Sequence, residues 1–277
     1  MDTSANIAKS QGCPGDGPSG LLLVGHGTRD RIGRSEFHQL CEAIRERIAR
    51  PTRACFLELA EPSIEQAVHE LADDGVRQVV VVPLLLFAAG HAQQDIPAAV
   101  EAAARGRIVT KQAAHLGCHP KVVGLSAMRF REAAERLGNA PRETLAVLAG
   151  RGSREPAATS EMIHFVRLRQ HALPARQTVC GFIAMASPSM EDALRDVGNK
   201  AAAPVVVQPH LLFHGELTRH MNELVDDSQR IYPDRIWTAA AHLGPHPLLA
   251  DALIDRFLEV EWGEEDEKQR DSGRSHT

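Results

Sequence analysis

Two imidazoles and a carboxylate stand out for where they fall. His26 sits between two glycines directly after the aliphatic run of "LLLVGHGTRD" (21–30), Glu58 lies near the end of "RACFLELA" (53–60), and His91 follows "PLLLFAAG" (83–90). Two neutral histidines and one carboxylate suit a borderline divalent metal such as cobalt, nickel, iron or zinc. Histidine also titrates near neutrality, so the same group can hold a metal or accept a proton. The glycines flanking His26, and the Ala-Ala-Gly before His91, would let a bulky ligand approach the backbone closely. Taken singly, each histidine is a polar residue at a strand end, and it is the shared setting of all three that suggests chemistry.

That setting comes from the elements around them. In the first half, the apolar runs "GLLLVG", "RACFLELA", "RQVVVVPLLLF" and "RIVTKQAA" alternate with helical stretches near 33–48, 62–73, 93–104 and 119–136. Continuous apolar strands between helices predict a parallel sheet covered on both faces. Right-handed crossovers make it doubly wound. In such a sheet ligands bind beyond the carboxyl ends of the strands, where His26, Glu58 and His91 all fall.

The chain also matches itself. "GHGTRD" at 25 recurs as "GRGSRE" at 150, "FLELAEPSI" at 56 as "FIAMASPSM" at 182, "PLLLF" at 83 as "PHLLF" at 209, and "AAHLGCHP" at 113 as "AAHLGPHP" at 240, a spacing of 125 to 127 residues throughout. A repeat this long is a duplicated domain rather than a solenoid unit, whose period would be about 20 to 50 residues. The expected fold is therefore α/β, two tandem doubly wound domains with parallel sheets facing each other across a cleft, with second-half strands near 144–149, 178–184, 204–213 and 235–241. The expected boundaries are a leader over 1–19, domains over 20–138 and 139–260, and a charged tail over 261–277. At the three positions of interest the copy departs: His26 is matched by Arg151, Glu58 by Ala184 and His91 by Leu217. One half reads as the working half and the other as a wall. His115 and His119 persist as His242 and His246, which favours an architectural role such as a helix cap, while His210 and His214 are peculiar to the second half and could line the cleft from the opposite side.

Composition bounds the alternatives. With 43% apolar residues and a net charge of -5, the 277-residue chain carries neither a basic footprint for nucleic acid nor an apolar span for a membrane, and the Ser-, Gly- and Pro-containing leader lacks a signal peptide's apolar core. A cytoplasmic protein is expected. Five scattered cysteines (Cys13, Cys41, Cys55, Cys118 and Cys180) without a C-x-x-C pair argue against a disulfide framework or a metal cage. No phosphate-binding G-x-x-x-x-G-K-[ST] loop is present, so no nucleotide cofactor is expected. A histidine phosphatase, suggested by "HGTR", would need an arginine before the histidine, where Gly25 stands.

"LLLVGHGTRD", "FLELAEPSI", "VVVVPLLLFAAGHAQQDIP" and "HLGCHP" together resemble the sirohydrochlorin chelatases of the CbiX/SirB family, in the two-domain form related to the protoporphyrin ferrochelatases; the resemblance covers roughly residues 20–260. It implies a lyase that inserts a divalent metal substrate, Co2+ or Fe2+ with Ni2+ as a further candidate, into sirohydrochlorin for siroheme or cobalamin synthesis without ATP. It maps the family's site onto His26, Glu58 and His91, in metal binding and catalysis alike. The polyanionic tetrapyrrole needs cations at the rim, for which Arg29, Arg34, Arg151 and Arg154 are the candidates. A carrier of metal or tetrapyrrole that does not catalyse insertion is the alternative. The chain could act as a monomer or a homodimer, since duplication can already supply a two-sided cleft.

Overall fold

Each half follows the alternation of apolar and amphipathic segments. The structure, a computed structural model, describes residues 19–87, 91–200 and 203–274, with backbone alone for 91–93 and 262–274. The first half runs β1 (Ser19–Gly25), α1 (Arg31–Arg45), β2 (Thr52–Phe56), α2 (Ile64–Asp73), β3 (Gln78–Pro83), α3 (His91–Ala104), β4 (Val109–Gln112) and α4 (Pro120–Arg136). After a short 3-10 turn, the second half runs β5 (Leu145–Gly150), α5 (Pro156–Ala172), β6 (Gln177–Phe182), α6 (Met190–Gly198), β7 (Val205–Pro209), α7 (Glu216–Ile231), β8 (Trp237–Ala239) and α8 (Pro247–Arg274). Of the expected leader, Ser19 opens β1 and residues 1–18 lie outside the described residues; at the other end, the helical backbone of α8 continues into the expected tail.

Both sheets are parallel throughout, ordered β2-β1-β3-β4 and β6-β5-β7-β8. With β1 between β2 and β3, the chain's direction of winding reverses beside β1, and a crevice opens at the carboxyl ends of β1 and β3. Every residue of β1, β3, β5 and β7 is buried, which is why these strands read as unbroken apolar runs.

The core has three parts. Val68, Leu71, Val79 and Val100 fill the outer layer of the first half, and Val147, Leu194, Val205 and Val225 that of the second. The largest cluster joins the halves: Phe37 of α1, Phe130 of α4, Phe165 of α5 and Phe257 of α8 are fully buried in one continuous apolar layer. At roughly 1.5–3 kcal/mol per buried large apolar side chain, this layer is what fixes one half against the other.

Three strands end earlier than the apolar pattern suggests, and the first of them, β2, stops at Phe56, so that Glu58 lies beyond it. The run read as strand to Phe87 leaves the sheet after Pro83, and the one read to Phe213 leaves after Pro209. Leu84 to Phe87 and Leu211 to Phe213 are apolar because they line the crevice between the halves. Periodicity alone cannot separate that kind of burial from burial in a sheet.

Candidate functional site

His26 is the first residue beyond β1. The β1–β2 ladder continues past the strand ends, with Leu57 N–H donating to Gly25 O (2.8 Å) and Glu58 N–H to His26 O (3.1 Å). This lacing sets His26 Nδ1 3.4 Å from Glu58 Oε1, with the two side chains 41% and 54% exposed. Imidazole and carboxylate therefore share one open corner of the crevice. The backbone of His91 opens α3, and its side chain lies outside the described residues. Among the described residues no cluster of three metal-ligating side chains occurs.

The glycines flanking His26, which border the crevice, also have packing roles of their own. A Cβ on Gly25 would meet the Phe37 ring at 2.7 Å, and one on Gly27 (φ 109°) would stand 1.7 Å from Glu58 O. Gly25 lets the Phe37 ring pack against the end of β1, and Gly27 lets the Glu58 loop close against the His26 loop. The second half keeps this architecture without the imidazole and the carboxylate: Ile183 N–H donates to Gly150 O, Ala184 N–H to Arg151 O, and a Cβ on Gly152 (φ 87°) would stand 1.7 Å from Ala184 O. The Ala-Ala-Gly before His91 lies outside the described residues.

Two cavities open at this end of the molecule, and they are related by the duplication. One, of about 330 Å³, is bounded by His26, Gly27, Phe37 and Phe56 from the first half and by Phe213 and His214 from the second. The other, of about 210 Å³, is bounded by the matched Arg151, Gly152, Met162 and Phe182 together with Phe87 and His210. Arg151, exposed, lines both; Arg29, Arg34 and Arg154 line neither, and none of the four pairs with a carboxylate among the described residues.

His210 is fully buried, with its ring against Phe165 (centroids 4.0 Å) and Phe87 (5.0 Å) and neither nitrogen hydrogen-bonded. Burial pushes its pKa down to about 3. His214 behaves differently. Its Nδ1 is 3.1 Å from Asp30 Oδ1, its backbone N–H donates to Glu36 Oε2 (2.7 Å), and its side chain is about one-quarter exposed. Asp30 caps α1 by accepting from Gly33 N–H (2.9 Å) and also takes a hydrogen bond from Arg219. The Gly33 N–H first, then Arg219 and His214, hold its carboxyl well below the usual carboxylate range.

The persistent histidines are architectural. His119 Nδ1 accepts from Lys121 N–H (3.2 Å) and His246 Nδ1 from Leu248 N–H (3.1 Å), each ahead of a proline that starts a helix. His115 reaches Glu161 of the other half (2.9 Å) and His242 reaches Glu36 (3.0 Å), while Arg129 and Arg256 donate to His242 O and Leu116 O across the same seam. Glu36 and Glu161 are themselves matched at a spacing of 125. Their repetition was a signal in the sequence for these reciprocal clasps. The Asp30–His214–Arg219 group carried no such signal, because its members are not repeated.

A duplicated doubly wound α/β chain whose halves share a crevice, with a histidine–carboxylate pair on one side of it, has the two-domain chelatase-like fold. The chain belongs to the CbiX family, whose model matches it twice, over residues 20–133 and 145–260. It is 27% identical over 252 residues to a sirohydrochlorin cobaltochelatase of Priestia megaterium, covering 88% of this chain and 80% of that one. It is also 27% identical to the sirohydrochlorin ferrochelatase of Bacillus subtilis, covering 91% and 96%. The structure superimposes on SirB from Bacillus subtilis with Fe3+ at a TM-score of 0.81 and 25% identity, covering 90% of this chain and 98% of that one. No helix among the described residues is long and apolar enough to cross a membrane.

Proposed function

We propose that this protein is a sirohydrochlorin chelatase, a lyase that inserts cobalt or ferrous iron into the tetrapyrrole in siroheme or cobalamin synthesis, without nucleotide. The observation that carries the reading is the His26–Glu58 pair at the mouth of a two-sided crevice, against an otherwise equivalent second half with Arg151 and Ala184. Insertion strips water from the ion and removes two pyrrole protons, so it calls for ligands that bind the metal reversibly and for a base. His26 and His91 deliver the ion and Glu58 balances its charge, since two neutral imidazoles and one carboxylate suit these metals and leave selectivity to geometry and supply. Ni2+ falls within the same ligand preference. Arg151 faces the crevice, and with Arg29, Arg34 and Arg154 nearby it gives the polycarboxylate substrate its cationic contacts. The two halves supply both walls of the site, so a monomer in the cytoplasm suffices, and no nucleic acid or membrane partner is called for.

The test is the tetrapyrrole absorption spectrum, followed with sirohydrochlorin and Co2+, Fe2+ or Ni2+. Wild-type protein should accelerate the spectral change over metal alone, with turnover. The His26→Ala, His91→Ala double variant, stripped of both imidazole ligands, should lose on the order of 100-fold or more in rate. Stoichiometric binding without turnover would make the protein a carrier, and an unimpaired double variant would refute the site.

A further inference from the structure

Metal insertion sets an electron-pair problem that the ligand set does not solve. A histidine nitrogen that donates its lone pair to the incoming ion cannot at the same moment accept a pyrrole proton. The proton needs a lone pair that is not engaged with the ion, and a further group at the same cavity can supply it.

The cavity that contains His26 is walled on its far side by His214. His214 is held at ring and backbone: Nδ1 lies 3.1 Å from Asp30 Oδ1, and the backbone N–H donates to Glu36, which His242 grips in turn. Asp30, fastened by the Gly33 N–H and by Arg219, is an ionised acceptor. It therefore selects the tautomer with the proton on Nδ1 and leaves the lone pair on Nε2. The arrangement is also one-sided. By the duplication's spacing, Asp30 is matched by Glu155, which makes no side-chain cap bond, His214 by Ala88 and Arg219 by Gln93. The dyad thus borders the cavity that holds His26 and is missing from the sequence of its pseudo-symmetric counterpart, the same asymmetry that singles out His26 and Glu58.

We infer that His214, oriented by Asp30, is the general base that takes the pyrrole protons during metal insertion. This rests on the chelatase reading above. In the step, a pyrrole N–H bond breaks, its electron pair stays on nitrogen and becomes the nitrogen–metal bond, and the proton goes to Nε2. Asp30 stabilises the imidazolium until the proton passes to water at the cavity mouth, and the cycle repeats for the second N–H. Among the described residues, Glu36, Arg219 and His242 are the charged or titratable groups packed around the dyad, with His26, Arg151 and Glu216 bordering the same cavity.

The test uses the full chain with saturating metal and compares His214→Gln, His214→Ala, Asp30→Asn and Arg219→Gln. Asparagine at position 30 keeps a helix cap. His214→Gln and His214→Ala should lower kcat by about 100-fold, the lower end of what a positioned base contributes. KM and metal-free sirohydrochlorin affinity, read by fluorescence quenching, should stay within about 2-fold, because no binding contact is lost. Added imidazole should restore His214→Ala in proportion to its free base, and Asp30→Asn should lower kcat without raising KM. A His214→Gln variant within about 2-fold of wild-type kcat overturns the inference. So does a His214→Ala loss that imidazole does not rescue and that Arg219→Gln reproduces, which would make the group a tether between the halves. A wild-type chain that inserts no metal overturns the chelatase reading itself, a separate result.

Discussion

Substituting alanine for Gly27 and, separately, for Gly152 applies the same perturbation to two copies of one loop. Each glycine has a positive φ, 109° and 87°, and in each the added Cβ would stand 1.7 Å from a carbonyl oxygen, that of Glu58 or of Ala184. A side chain in a left-handed backbone costs roughly 1–2 kcal/mol. Relieving the overlap adds about 1–3 kcal/mol, so each variant should lose about 2–5 kcal/mol in urea unfolding. The consequences for activity should diverge. The overlap at Gly27 is relieved by pushing the Glu58 loop away from His26, and a displacement of about 1 Å at a reacting centre can cost on the order of 100-fold in rate. The overlap at Gly152 displaces Ala184, which carries no reacting group. Insertion rates normalised to the folded fraction should therefore fall about 100-fold for Gly27→Ala and stay near wild type for Gly152→Ala. Equal losses of rate, or a Gly27→Ala variant at full rate, would show that the closeness of the two loops has no bearing on the chemistry.

Two further outcomes concern buried polar groups. His210 has its folded pKa pushed down to about 3 by burial, whereas in the unfolded chain it titrates near the ordinary histidine value, so below that value the unfolded state binds the extra proton and stability falls with pH. Between pH 7 and 5 this amounts to about 2 kcal/mol, and His210→Leu, the residue of the first copy, should remove that part of the pH dependence and raise stability at neutral pH by about 1–3 kcal/mol; pH-dependent urea midpoints decide it. Arg169, fully buried over the Phe130 ring at 4.0 Å with Gln208 as its acceptor, replaces the Ile44 and Val82 pair of the first half. Arg169→Met should cost about 1–3 kcal/mol by orphaning Gln208 Oε1 and Leu173 O, and the Arg169→Ile, Gln208→Val double change should not recover that loss, because it takes from the buried Ser126 hydroxyl its Gln208 partner at 2.9 Å; the same unfolding curves decide it.

The alternation of elements was legible because strands buried on both faces and amphipathic helices leave local patterns, and the duplication was legible because two copies can be compared residue by residue. That comparison also singled out His26 and Glu58, since a residue lost from an otherwise intact copy is not needed for the fold. The ends of β3 and β7 were misread because Leu84 to Phe87 and Leu211 to Phe213 are buried by the other half rather than by the sheet. The packing role of the flanking glycines was not legible because the groups they accommodate, the Phe37 ring for Gly25 and the Glu58 carbonyl for Gly27, lie elsewhere in the chain.

What the sequence determined by itself was thus the order of elements, the pairing of the halves and the side of the crevice that carries the His26–Glu58 pair. The tertiary structure alone decided which groups meet across the seam. Asp30 and His214 are 184 residues apart, and His242 and Glu36 are 206 apart. No local pattern encodes such contacts, because they form only when the shared apolar layer of α1, α4, α5 and α8 brings the two halves to one register.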